Sequence, residues 1–208
     1  MERTDNPRQG FIDVVGGLAR DAGPDGLTLG GVLDRLDERA FGLIILILSI
    51  PCLVPALYGV PQIIGVPILL LAGQMMVGRH EPWLPHAMRR RDVPKAWLER
   101  MAGFADKRMR WLERLSRPRL SVFATGFGER VAALFMIAAT ITIILPMTNT
   151  VPSLALALIA VGLIQRDGVF VLAGEVLAAG WIGFLATVAV AFALGAGWAV
   201  GLMARVTG

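Results

Sequence analysis

From Ala40 to Val77 the chain carries no charged residue over 38 positions. At about 20 residues per crossing, that is room for two membrane passes or one deep re-entrant hairpin. Pro51, Pro55 and Pro61, with Gly59, fall near its middle. Proline removes a backbone donor and crowds the preceding turn, so the pattern predicts two helical arms with a break between them. A second uncharged stretch, Ala132 to Gln165, is interrupted at Pro146 and Pro152. A third follows Arg166-Asp167-Gly168 and runs to Met203, with Glu175 as its one acid. Its 35 residues hold one long span or two short ones, and Gly195, Gly197 and Gly201 loosen the end.

The polar segments read differently. Residues 1–10 have no apolar periodicity. Residues 10–20 suit a short amphipathic helix, and Gly23-Pro24-Asp25-Gly26 is a turn. Thr28 is placed to cap a helix with Leu29, Val32, Leu33 and Leu36 along one stripe. Pro94 can open another, with Trp97, Met101, Phe104, Trp111, Leu112 and Leu115 near one face. Lys95, Arg100, Lys107, Arg110 and Arg114 fall around the other faces. That pattern suits an interfacial helix, or a helix packed on the protein's own cytoplasmic side.

The chain thus divides into a polar N-terminal segment (1–39), a first hairpin (40–77), a basic Trp-containing loop (78–130), a second hairpin (131–166) and a C-terminal membrane segment (167–208). The predicted fold is an all-α integral membrane protein with two Pro-broken helical hairpins and interfacial amphipathic helices.

The hairpins also match each other. Shifting the chain by 91 residues without gaps gives 9 identities over 37 positions. Glu38-Arg39 falls on Glu129-Arg130, Pro55 on Pro146, Val60-Pro61 on Val151-Pro152, and Gln74 on Gln165. Charged residues, prolines and glutamines are scarce inside apolar runs, so these coincidences carry more information than matched leucines. Duplicated segments with paired breaks point to a transporter-like site where the repeats meet. If each hairpin enters and leaves on one side, the repeats are parallel. The transporter analogy favours an inverted pseudo-twofold instead, with short or re-entrant helices.

Composition changes the picture in one respect. The 208 residues are 55% hydrophobic, and the net charge of +4 is localised. Residues 1–39 carry 5 basic and 8 acidic side chains, and residues 78–130 carry 13 basic and 6 acidic. A basic block between two apolar blocks reads as a cytoplasmic loop under the positive-inside rule, not as a nucleic-acid surface. The single cysteine, Cys52, excludes an internal disulfide and a multi-cysteine metal site. The first 39 residues are too polar for a cleavable signal, so the first apolar segment is the expected insertion signal.

The chemistry available is correspondingly limited. His80 and His86 are the only histidines. No metal-spaced cluster, phosphate loop or nucleophile elbow is present, so neither a catalytic residue nor a metal or cofactor is expected. The polar residues inside the apolar blocks are the candidate binding groups: Tyr58, Gln62, Gln74, Thr148, Asn149, Thr150, Ser153 and Gln165. They cap broken helix ends, or they line a polar pocket in which the helices after Pro61 and Pro152 aim backbone N–H groups at an anion. Glu38, Arg39, Glu129 and Arg130 start the hairpins and serve as anchors or gating charges. Glu175 is a proton or cation site, or a residue near the interface.

Three stretches resemble the ExoD-like exopolysaccharide-synthesis membrane proteins of bacteria. They are LTLGGVLDRLDERAFGLIILILSI (27–50), VPQIIGVPILLLAGQMMVGRHEPWLP (60–85) and LPMTNTVPSLALALIAVGLIQRDG (145–168). The resemblance covers most of residues 27–175. Gly78-Arg79 before Pro82-Trp83-Leu84-Pro85 and the closing Arg166-Asp167-Gly168 are its more specific parts. It implies an inner-membrane protein needed for exopolysaccharide production, with no reaction attached. Two roles fit. One is a transporter-like protein handling a lipid-linked intermediate or anion. The other is a non-transporting scaffold subunit of the polysaccharide synthesis machinery. Membrane lipids and a second copy of the chain, as a homodimer, are the expected partners; nucleic acid is not.

Overall fold

The computed structural model describes residues 11–23, 26–37, 39–54, 59–104, 107, 120–143 and 149–207. Glu38, Pro55, Tyr58, Pro146, Thr148, Trp111, Leu112 and Leu115 lie outside them. The described chain is mainly helical: α1 Phe11–Asp21, α2 Leu29–Leu36, α3 Arg39–Cys52, α4 Val60–Met76, α5 His86–Arg89, α6 Lys95–Phe104, α7 Phe127–Thr142, α8 Thr150–Gln165 and α9 Gly168–Thr207. A short antiparallel pair, β1 Leu27–Thr28 with β2 Asp92–Val93, sets Leu27 opposite Val93.

Local chemistry explains the ends. Thr28 caps α2 through its side chain, which accepts from the Gly31 N–H at 3.1 Å. α3 stops at Cys52, one residue after Pro51. Gly59, at φ 84°, then turns the chain into α4, whose Pro61 sits in the first turn where its missing donor costs nothing. Pro152 likewise falls in the first turn of α8. The third apolar stretch is one continuous helix, α9.

The four short helices α3, α4, α7 and α8 pack in cyclic order: α3 against α4 and α8, α7 against α4 and α8. Close approaches fix their directions. A Cβ on Gly42, early in α3, would lie 2.9 Å from the Ala160 carbonyl oxygen, late in α8. Gly65, early in α4, faces Thr140, late in α7, while Gly78 just past α4 meets the guanidinium of Arg130, early in α7. The result is an up-down-up-down bundle. One end, the rim, gathers Arg39, Arg79, Glu129, Arg130, Arg166 and Asp167. The other end, the tip, carries both proline breaks.

Both hairpins therefore point the same way. The inverted arrangement favoured by the transporter analogy is corrected by these contacts: exchanging α3 with α7 and α4 with α8 preserves every pairing, with the exchange axis running along the bundle. The α3–α8 and α4–α7 contacts correspond under that exchange.

α9 packs along α8 and α7. Gly162 on α8 lies against Val171, and Gly174 on α9 against Ala155 and Ile159. The glycines let the backbones touch, as small residues do between apolar helices. Ile45, Ile68, Met136, Leu156, Ile159 and Val171 share the bundle core.

The described parts of the N-terminal segment and of the basic loop, residues 11–23, 26–37 and 79–104, pack as one layer across the rim. Val15, Leu18, Val32, Leu33, Leu36 and Leu98 share an apolar cluster with Ala40 and Ile164 of the bundle. Arg35 pairs with Asp21 at 2.9 Å, and Arg89 with Asp34. Trp97, on the face of α6 that suits either a membrane interface or packing on the protein, is 55% exposed, and Leu98 is buried. The reason is the neighbour: α6 packs on α1, which receives Leu98.

The outer surface of the bundle is apolar. Ile47 and Ile50 on α3, Ile63, Val66 and Leu70 on α4, Leu134 and Ile141 on α7, and Leu154 on α8 are exposed.

Candidate functional site

The tip end gathers three buried polar atoms that have no partner among the described residues. Asn149 precedes α8 and is buried, yet its Oδ1 has no hydrogen-bond partner among the described residues. Ser153, in the first turn of α8, is fully buried and its Oγ is also unpaired. On α4 the buried Oε1 of Gln62 is unpaired as well. Gln62 and Ser153 correspond under the 91-residue offset, and each lies in the first turn of its helix. An unpaired polar atom away from water costs roughly 1–3 kcal/mol.

Backbone donors lie at the same end. The first turns of α4 and α8 leave N–H groups without intrahelical partners. The Asn149 side chain makes no capping bond to them. In the cyclic packing α4 and α8 stand diagonally across the bundle, so two helix N-termini share the tip. The combination offers both donors and acceptors, which suits a hydroxyl-rich or phosphoryl group. Thr150 is exposed at the start of α8.

Gln74 and Gln165 do not join this set. They sit at the rim ends of α4 and α8, about 22 Å along each helix from the tip at 1.5 Å per residue. Gln74 is engaged: its Oε1 accepts from the Trp83 N–H at 2.6 Å, and its Nε2 donates to the Trp83 carbonyl. It brackets the Pro82-Trp83-Leu84-Pro85 loop. Gln165 Nε2 has no partner among the described residues. The eight candidate residues are thus split, with Gln62, Asn149, Thr150 and Ser153 at the tip, the two glutamines at the rim, and Tyr58 and Thr148 outside the described residues.

Arg39, Glu129 and Arg130 lie at the rim. Arg39 opens α3 and Glu129 lies in the first turn of α7. Arg130 lies over Gly78 at the end of α4, where a cation meets the negative end of the helix. Glu175 is buried between rim and tip on the inward face of α9, in line with Val171 and Ala178, and its Oε1 is unpaired. His80 and His86 are exposed.

One repeat pair went unread in the sequence. Ser49 and Thr140, equivalent at the same offset, are both buried. Ser49 Oγ donates to the Leu46 carbonyl at 2.8 Å and Thr140 Oγ1 to the Met136 carbonyl at 2.6 Å. Aligning hydroxyl types as well as identities would have found them.

Comparison with known proteins gives the family. The chain matches the family described as "Exopolysaccharide synthesis, ExoD" over residues 11–187. It is 28% identical over 178 residues to Protein ExoD of Rhizobium meliloti (strain 1021), covering 80% of this chain and 72% of that one. It is 30% identical over 165 residues to an uncharacterized protein of Synechocystis sp. (strain ATCC 27184 / PCC 6803 / Kazusa), covering 75% of each. No solved structure matches the chain. The matched span takes in the rim layer, both hairpins and the part of α9 packed on them, so the chain belongs to the ExoD family of exopolysaccharide-synthesis proteins.

Proposed function

We propose that this protein is a multi-pass component of the bacterial inner membrane. In this reading its duplicated hairpins handle a lipid-linked intermediate or an anion during exopolysaccharide synthesis. The observation that carries the reading is the tip, where Gln62, Asn149 and Ser153 hold unpaired polar atoms at two helix N-termini.

The membrane reading has its own support. Gly168–Gly195 is long and apolar enough to cross a bilayer, with mean hydropathy 2.2. The bundle turns isoleucine, valine and leucine outward where a water-soluble bundle would place charges. The rim layer carries the described cations that follow the first hairpin, Arg79, Arg89, Arg90, Arg91, Lys95 and Arg100, which supports a cytoplasmic side for it. Depth follows from α9. Its residues 168–181 run alongside the bundle, about 20 Å of helix, against a hydrocarbon thickness of ~30 Å. The hairpins then act as parallel re-entrant repeats whose tips sit beyond mid-membrane, and α9 alone completes the crossing. Polar groups at that depth need a partner, and a passing headgroup supplies one. The protein acts without a chemical step of its own. The exposed apolar half of α9, including Val188 and Phe192, meets lipid or a second copy in a homodimer.

A second reading, a non-transporting scaffold subunit, draws on Trp83 and Trp97, both exposed on the basic layer. Proteoliposomes separate the two. Wild type is expected to accelerate the transbilayer movement of a labelled polyprenyl-phosphate lipid or of inorganic phosphate, and Asn149→Ala with Ser153→Ala to abolish it. No movement of either probe would sink the transport reading. Loss of polysaccharide production from Trp83→Ala or Trp97→Ala, with the tip variants tolerated, would favour the scaffold.

A further inference from the structure

The rim layer does not close completely on the bundle. Between α2, the first half of α3 and residues 84–98 it leaves a half-open groove of about 280 Å³. Every residue lining it is apolar. Val32, Leu36 and Leu98 form its buried floor, while Ile47, Met88 and Trp97 stand 50%, 48% and 55% exposed at its mouth. Water gains little in such a space, because it finds no polar partners there. Hydrocarbon recovers the dispersion contacts that an empty apolar wall forgoes.

Two features decide what fits. The first is continuity. Ile47 belongs to the groove mouth and also to the outward stripe of Ile47 and Ile50 on α3, continued by Val54 just past the helix. A chain lying along α3 can enter the groove without crossing a polar surface. The second is charge. The mouth residue Met88 is followed by Arg89-Arg90-Arg91, then Asp92 and Lys95. Arg89 is held by Asp34, whereas Arg90, Arg91 and Lys95 are exposed and outnumber Asp92. Cations above an apolar slot at a membrane interface are the elements of an anionic-lipid site.

We propose that this groove holds one hydrocarbon chain of an anionic membrane lipid, with its headgroup against Arg90, Arg91 and Lys95. The assignment rests on the membrane reading of the protein and not on the transport reading. The bound lipid fastens the rim layer to the bilayer and fills the gap between that layer and α3.

Native mass spectrometry of the detergent-purified full chain tests it, with phosphatidylglycerol and phosphatidylcholine of matched chains as probes. Wild type is expected to retain one phosphatidylglycerol per chain in preference to phosphatidylcholine. Ile47→Trp plugs the mouth from an exposed position and should lower retention roughly tenfold, the loss that about two excluded methylenes bring. Met88→Trp, on the opposite wall, should do the same and guards against a folding artefact in either variant. Arg90→Gln with Arg91→Gln should erase the headgroup preference while keeping chain binding. Retention unchanged by both mouth variants, or equal retention of the two lipids by wild type, overturns the proposal. So does a lipid-free dimer that Ile47→Trp converts to monomer, since the groove would then be a protein interface. Alkaline carbonate extraction of membranes separates the two levels. Wild type that stays in the membrane pellet but retains no lipid refutes the groove alone. Wild type released to the supernatant refutes the membrane reading, and the groove with it.

Discussion

The Trp181 indole N–H donates to Thr142 Oγ1 at 3.2 Å, joining the last residue of α7 to the middle of α9. The same Thr142 hydroxyl donates onward to the Ala139 carbonyl at 2.7 Å. This bond fixes how far the hairpins reach along α9, because Gly168 at the other end packs against Leu120 just before α7. Trp181→Phe keeps the ring near Phe184 and removes only the donor. Thr142 keeps its other partner, so the expected cost is modest, about 1 kcal/mol. Thermal unfolding in detergent should show a small drop in midpoint, and an unchanged midpoint would mean that the bond does not hold the register.

The α8–α9 contact makes a sharper prediction. A Cβ on Gly174 would lie 2.8 Å from the Ala155 carbonyl oxygen and 2.9 Å from the Ile159 amide nitrogen, both backbone atoms that cannot rotate away. Gly180, two turns further, meets nothing within 4 Å. Gly174→Ala should destabilise the protein by about 1–3 kcal/mol through overpacking. Gly180→Ala should be neutral or slightly stabilising, because alanine favours the helix. Equal melting behaviour of the two variants would contradict the packing described.

At the tip, stability and activity should separate. Asn149→Ala and Ser153→Ala each remove a buried polar atom that has no partner. Neither should lower stability by more than about 1 kcal/mol, because no hydrogen bond is lost. Both should reduce transport in proteoliposomes. A large loss of stability in either variant would show that these groups serve the fold.

Glu175→Gln should raise the thermal midpoint. Its carboxyl is buried with one oxygen unpaired, and an amide carries no charge to desolvate there. Glu175→Lys should fail to accumulate in membranes, because it exchanges one buried charge for a longer one. If Glu175→Gln melts below wild type, the carboxylate has a partner that holds the bundle together.

Much of the fold was legible along the chain because its signals are local. Pro51 near the end of one apolar arm, with Gly59 and Pro61 opening the next, marks the break between Cys52 and Val60, whereas Pro67 is carried inside α4. Thr28 caps α2 because a hydroxyl one residue ahead of an apolar stripe reaches the Gly31 amide. An uncharged run of 38 residues cannot be surrounded by water on both of its arms.

Tertiary structure alone decided which of these features meet. Sequence spacing contains no direction in space, so the parallel sense of the hairpins came from Gly42 against Ala160 and Gly78 against Arg130. Equivalent residues need not share a site. Gln74 and Gln165 are equivalent, yet each lies a full helix length from the tip, and Gln74 is spent on the Trp83 backbone. Long-range pairs such as Leu27 with Val93 join residues 26–37 to residues 79–104, and spacing along the chain does not contain such pairs. Periodicity names the apolar residues of a helix, but only the neighbouring helix selects the buried ones, which is why Leu98 and not Trp97 faces inward.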